Sequence, residues 1–127
     1  VVMGRNTMDS IPGGVLKGRS NFVVSRTLPV SKEYHLYSST INVILGLPKH
    51  PDAKGKKIYI IGGGDIHRDL IHHANYLELT VVDTASKADT FFPEIDPDIW
   101  DCESISDFIK EGDLEYRHVF YKRKKLL

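Results

Sequence analysis

The sequence predicts a three-layer α/β fold: a mostly parallel central sheet with flanking helices and a C-terminal antiparallel hairpin. Apolar, β-branched runs alternate with segments of helical period over the first two thirds of the chain, the pattern of strands joined by crossover helices. Glycines stand where such runs meet the next helix, in MGRNT and in IIGGGDI. The last third abandons the alternation for a Pro-rich stretch followed by two strand-like runs across a charged loop.

Taken in order, Val1-Val2-Met3 reads as a strand end, Gly4 as a turn and Thr7 to Ile11 as a short helix broken by Pro12-Gly13-Gly14. Ser20 to Ser25 (SNFVVS) is the next strand and Tyr34 to Tyr37 a short third one. Ser38, Ser39 and Thr40 are N-cap candidates for an apolar helix through Leu47. Residues 48–57, rich in Pro, Lys and Gly, form a loop. Ile58 to Ile61 has no polar alternation, as expected of a central parallel strand buried on both faces. Asp65 to Leu77 is a helix and Leu77 to Asp83 a strand. FFPEIDPDIW is irregular, with Trp100 a packing anchor; Glu103 to Ser106 and Tyr116 to Lys122 pair antiparallel.

Bulk properties narrow the function. The chain has 127 residues, enough for one domain with a real core. Lys plus Arg and Asp plus Glu both number 17, so zero net charge gives no field for nucleic acid or an acidic membrane, and the KRKK run at Lys122 to Lys125 does not change that. The single Cys102 cannot close an intrachain disulfide and favours a reducing compartment. No apolar run approaches a membrane span and nothing resembles a signal peptide, so a cytoplasmic protein is expected. No metal is expected: His67, His72 and His73 are off the helical i, i+4 spacing and lack a facing carboxylate.

A strand running into Gly62-Gly63-Gly64 and then a helix start leaves backbone N–H groups aimed outward, an arrangement suited to a phosphate. The motif lacks the third spaced glycine of a dinucleotide fingerprint and the Lys-Ser/Thr of a P-loop, so alone it fits a tight turn equally well. Gly4-Arg5-Asn6-Thr7 repeats the design with a cation and a hydroxyl, and Ser25-Arg26-Thr27 offers the same chemistry at the end of the next strand. Open α/β sheets bind ligands at the C-terminal ends of their strands, and three such ends suit a pyrophosphate plus one further phosphate.

These motifs carry a resemblance. VVMGRNTMDSIP, LKGRSNFVVSR, IYIIGGGDI and ADTFFPEIDPDIW, in this order and spacing, resemble dihydrofolate reductase over nearly the whole chain. The resemblance implies NADPH-dependent reduction of 7,8-dihydrofolate to tetrahydrofolate, by hydride transfer to the pterin with a proton added at N5. It implies that Gly4, Arg5, Asn6 and Thr7 hold cofactor phosphates, that Ser25 and Arg26 face the 2′-phosphate and adenosine, and that Gly62, Gly63, Gly64, Asp65, Ile66 and His67 meet the pyrophosphate and nicotinamide half. It implies a cis peptide between Gly62 and Gly63. For the substrate it implies that Ile11, Leu16 and Ile61 pack on the pterin and aminobenzoyl rings, and that Arg19 pairs with the α-carboxylate of the glutamate tail, a bidentate task for which lysine is a poor substitute. Thr80 matches a threonine supporting an acidic residue and the pterin amine, and Asp89 a polar residue in a loop coupled to a mobile one. Antifolate inhibitors are implied ligands, and the expected state is a monomer when the N-terminal segment is present.

Departures from the family pattern are equally informative. The match begins at Val1, after the family's first strand, mobile loop and acid-bearing helix, so the expectation is an N-terminally incomplete single domain over residues 1–127 in which no catalytic acid is identifiable. The missing strand lies, in the family, between the strands matching Ile58 to Ile61 and Leu77 to Asp83. Met8 stands where the family usually has an aromatic, a packing change. His67 replaces a common tyrosine, either filling its space or making cofactor binding pH-sensitive. Two alternatives stay open: a pteridine- or pyrimidine-reducing enzyme of the riboflavin-pathway type, with little use for Arg19, and a non-catalytic NADPH-binding module.

Overall fold

A computed structural model describes residues 1–83 and 92–127, with Asp83 described by its backbone alone. The chain forms two compact units, Val1–His72 and His73–Leu127.

In the first unit β1 (Val2–Gly4) leads into α1 (Arg5–Ser10), followed by β2 (Phe22–Val24), β3 (His35–Tyr37), α2 (Thr40–Gly46), a 3-10 turn at Leu47–Lys49, β4 (Ile60–Gly62) and α3 (Gly64–Leu70). The four strands are parallel in the order β3-β2-β1-β4. Successive side chains of a strand point to opposite faces, and neighbouring residues of β1 accordingly enter different cores. Val2 joins Phe22, Val43, Leu47, Ala53, Ile66 and Leu70 in one apolar cluster, while Met3 joins Met8 and Val23 in another. Both faces of the sheet are therefore covered, one by α2 and α3 and the other by α1. Val2, Met3 and Val23 are fully buried, a burial that stabilises by roughly 1.5–3 kcal/mol per side chain. Met8 packs in this core as its apolar, adaptable side chain suggests.

Local chemistry explains the boundaries. Ser39 caps α2, its hydroxyl accepting from the backbone N–H of Asn42 at 3.3 Å. The first helix starts at Arg5, two residues before the expected start at Thr7, because Gly4 itself serves as N-cap. The helix expected over Asp65 to Leu77 ends at Leu70, where the chain tightens into a 3-10 turn at Ile71–His73 before the next strand begins at Tyr76. The strand expected at Ile58 to Ile61 is shifted to Ile60–Gly62, with Ile58 and Tyr59 exposed. It is not central either: among the described residues β4 pairs with β1 alone.

The second unit is antiparallel. Its β5 (Tyr76–Asp83), β6 (Trp100–Ile105) and β7 (Ile109–Glu111) all pair with the long β8 (Leu114–Arg123). The pairing of Glu103 to Ser106 with Tyr116 to Lys122 is present in a longer form, β6 starting at Trp100 and ending at Ile105. A short hairpin of β7 with β8, turning at Gly112 (φ +60°), was not expected. Trp100 is buried beneath the Arg123 guanidinium, which lies 4.6 Å from its ring centre, so the indole anchors this unit.

Candidate functional site

The C-terminal ends of β1, β2 and β4 come together in the first unit. Gly62 and Gly63 are joined by a cis peptide, as the resemblance implies, and Gly62 has φ +132°. A methyl group on Gly62 would lie 3.2 Å from Thr7 Oγ1 and 3.6 Å from His67 Nε2; one on Gly4 would lie 3.3 Å from Ile66 Cγ1 and 3.7 Å from the Gly63 nitrogen. Glycine at these positions lets the β1–α1 and β4–α3 turns approach backbone to backbone. Neither α1, capped by Gly4, nor α3, capped by Gly63, receives a side-chain cap, which leaves first-turn N–H groups available to an anion. Asp65 pairs with Arg68 at 2.6 Å on the exposed side of α3.

The end of β2 is tied to the same place. Arg5 Nη1 donates to Thr27 Oγ1 at 2.7 Å, while Ser25 Oγ accepts from the N–H groups of Thr27 and Leu28 at 3.1 and 3.2 Å. Arg5 also faces Asp9 at 3.6 Å, and Asn6 is exposed one residue on. Ser25 and Arg26 line an open cleft of about 540 Å³ with Leu36, Tyr37, Ser38 and Asn42, a volume in the range of small-molecule sites.

His67 lies between these turns, half-buried, and burial holds its pKa below the usual 6.5. The ring is therefore neutral at neutral pH. In the unfolded chain the same histidine binds its proton from about pH 6.5 downward, so acidification below that value favours unfolding until the folded-state ring is protonated too. Replacing His67 with Tyr is expected to flatten this part of the acid slope, read by urea unfolding at neutral and mildly acidic pH; an unchanged slope would show that His67 does not contribute.

The expected substrate residues divide into three. Ile11 and Ile61 are both partly buried against the Met3, Met8 and Val23 cluster. Leu16 and Arg19 sit on the loop between α1 and β2, and a residue to which the sequence motifs give no role holds that loop. Asn21, 3% exposed, accepts from the Leu16 N–H at 3.0 Å and donates to the carbonyls of Leu16 and Arg19 at 2.9 and 3.1 Å. The sequence signal for it is slight, a polar residue next to Ser20 at the start of the apolar run FVV. Thr80 lies on β5 of the second unit, exposed, with its hydroxyl 3.1 Å from His118 Nδ1. Asp89 lies outside the described residues.

The sequence model of the family described as Dihydrofolate reductase matches residues 1–125. The chain belongs to the dihydrofolate reductase family. It is 36% identical over 103 residues to a viral dihydrofolate reductase of Saimiriine herpesvirus 2 (strain 488), covering 76% of this chain and 48% of the viral protein. It is 30% identical over 135 residues to dihydrofolate reductase of Sus scrofa, covering 97% of this chain and 73% of that protein. With dihydrofolate reductase of Neisseria gonorrhoeae the figures are 32% over 125 residues, 98% of this chain and 75% of the relative. The chain thus spans about half of the viral relative and about three quarters of the other two.

Within a dihydrofolate reductase frame, four of the five side-chain carboxylates of the first unit have other engagements. Asp9 faces Arg5, Asp52 pairs with His35, Asp65 pairs with Arg68, and Asp69 accepts from the Thr40 hydroxyl. None is assigned as a proton donor. Among the described residues, no helix is long and apolar enough to cross a membrane.

Proposed function

We propose that this protein binds NADPH and 7,8-dihydrofolate and takes part in reducing the second to tetrahydrofolate. The observation that carries the reading is the joining of the three strand ends, Gly4 to Thr7, Gly62 to His67 and Ser25 to Thr27, through the Arg5–Thr27 hydrogen bond and the close approach of Thr7 to Gly62. NADPH, when bound, supplies the hydride. The chain's own residues do the positioning. Amides of the two glycine turns donate to pyrophosphate oxygens, and Arg5 and Thr7 add a charge and a hydroxyl. Ser25 and Arg26 meet the 2′-phosphate from the edge of the cleft. His67, neutral, fills space beside the nicotinamide, with Ile66 packed beneath Gly4.

On the substrate side, Ile11, Leu16 and Ile61 offer apolar surface to the rings, and Arg19 offers its fork to the glutamate tail. Thr80 enters on family grounds alone. Both units are read as parts of one reductase domain, with the catalytic acid unassigned, and the protein as a cytoplasmic monomer that also takes antifolate inhibitors. Among the described residues the outer edge of β4 is unpaired and offers backbone groups to a further strand.

Titration with NADPH and then with a methotrexate-like antifolate tests the reading against its two alternatives. Binding of both, with dihydrofolate-dependent oxidation of NADPH, is the expected result. NADPH binding alone would favour one of the two alternatives, the pteridine- or pyrimidine-reducing enzyme or the non-catalytic NADPH-binding module, and binding of neither would contradict the proposal.

A further inference from the structure

The chain carries a second cluster of chemically capable side chains at the edge of the parallel sheet. His35 is the first residue of β3, the edge strand, and His50 and Asp52 lie where the Leu47–Lys49 turn runs into the following loop. His35 Nε2 is 2.9 Å from Asp52 Oδ2, and one donor atom from each of the three residues lies within 4.8 Å of the others. No step proposed above uses any of them.

We propose that His35, His50 and Asp52 form a binding site for one divalent ion of the zinc class. The donor set selects the metal. Two imidazoles and a carboxylate suit Zn²⁺ and its borderline neighbours, whereas Mg²⁺ and Ca²⁺ take oxygen ligands. Spacing is compatible: ligands about 2.0–2.2 Å from a tetrahedral Zn²⁺ stand about 3.4 Å from one another. The His35–Asp52 pair must open slightly and the remaining distances close by roughly 1 Å or so to reach that spacing. Exposed Asp52 and the half-buried imidazoles have room for this, and the fourth position is left to water.

The supporting residues hold the donors in place. Phe22, buried in the core, stacks on His35 at 4.9 Å between ring centres and meets the edge of His50 at 5.1 Å. The His50 carbonyl accepts from the N–H groups of Ala53 and Lys54 at 3.0 and 2.9 Å, and the Ala53 side chain is buried in the same apolar cluster as Phe22. Asp52 N–H donates to His50 Nδ1 at 3.1 Å, a hydrogen bond that His50 gives up when it offers its ring lone pair to the metal. Ligands positioned by a core aromatic and an anchored turn lose little freedom on binding a metal. The lysines at 49, 54, 56 and 57 add positive potential nearby, so the site is an open, exchangeable one. A bound ion would clip the edge strand β3 to the 50–55 turn.

Competition against a zinc-binding dye, with the purified full-length protein, tests the proposal. The expected result is one Zn²⁺ per site, bound at least ~10-fold more weakly after His35→Gln or Asp52→Asn, and unchanged after His72→Gln with His73→Gln. Added Zn²⁺ should also raise the melting temperature of the parent protein and not of Asp52→Asn, whose exposed position makes misfolding a poor explanation. Zinc binding equally tight in the His35 and Asp52 variants, or no saturable binding by the parent, would overturn it. Neither outcome bears on NADPH binding.

Discussion

Gly62→Ala is expected to destabilise the protein by about 2–4 kcal/mol, the sum of a side chain forced into a sparsely allowed backbone region and an overpacked contact. Gly62 has φ +132°, and the new methyl would meet Thr7 Oγ1 at 3.2 Å. Relief requires Thr7 to move or the β4–α3 turn to withdraw, and either change displaces groups proposed to hold the pyrophosphate. The melting temperature should fall by about 10 °C, and NADPH affinity of the folded fraction by more than about tenfold, roughly the loss of one charge-assisted hydrogen bond. Gly63→Ala is the control. Its φ is −82° and a methyl there would find only Thr7 Oγ1, at 3.8 Å, so its stability should stay within about 1 kcal/mol of the parent. Equal destabilisation by the two substitutions would show that the Gly62 backbone and its contact with Thr7 are not what the turn depends on.

The second large effect is expected at Asn21. Asn21→Ala removes three hydrogen bonds to the backbone of Leu16 and Arg19 and leaves those groups to find water in a partly closed loop, a cost of about 2–3 kcal/mol. The functional signature is selective. Leu16 and Arg19 lose their fixed placement, so KM for dihydrofolate rises and antifolate affinity falls, while NADPH affinity, governed by other strand ends, is unchanged. Calorimetric titration with NADPH and with an antifolate separates the two. A parallel loss of both affinities would mean that Asn21 supports the whole unit rather than the substrate loop.

Much of this architecture was legible in the sequence because local and global preferences agree. VVM, NFVV and YHLY are apolar enough to be strands of a sheet covered on both faces, and the hydroxyl of Ser39 marks the start of α2 as its type predicts. What was missed has identifiable causes. The α3 boundary at Leu70 carries no glycine or proline, since Ile71–His73 tightens rather than breaks, so periodicity ran on into the strand. The β7 strand, IKE, is exposed throughout and has no apolar alternation to announce it. Exposure of Ile58 and Tyr59 and the edge position of β4 depend on strand pairing, which an apolar run does not specify.

The candidate site was proposed from motifs, because glycine, arginine and hydroxyl residues recur at three strand ends, a repetition that a single tight turn does not explain. The tie between Arg5 and Thr27 was not, since it spans 22 positions. Nor was the grouping of His35 with His50 and Asp52: the strand and the loop that meet there are joined only by the folded path through α2. Asn21 was hidden for a further reason. Within the expected strand Ser20 to Ser25, Asn21 reads as an ordinary strand residue until its three side-chain hydrogen bonds to the backbone are known.

The central claim, that the ends of β1, β2 and β4 together make an NADPH site with Ser25 and Arg26 on the 2′-phosphate, is tested most directly by comparing NADPH with NADH. Calorimetric titration of the parent protein should give clearly tighter binding of NADPH. Arg26→Ala should weaken NADPH by about 10–100-fold, the equivalent of one hydrogen bond to a charged group, and leave NADH unchanged. A parent protein that binds both cofactors equally, or a variant that loses both in parallel, would contradict the account.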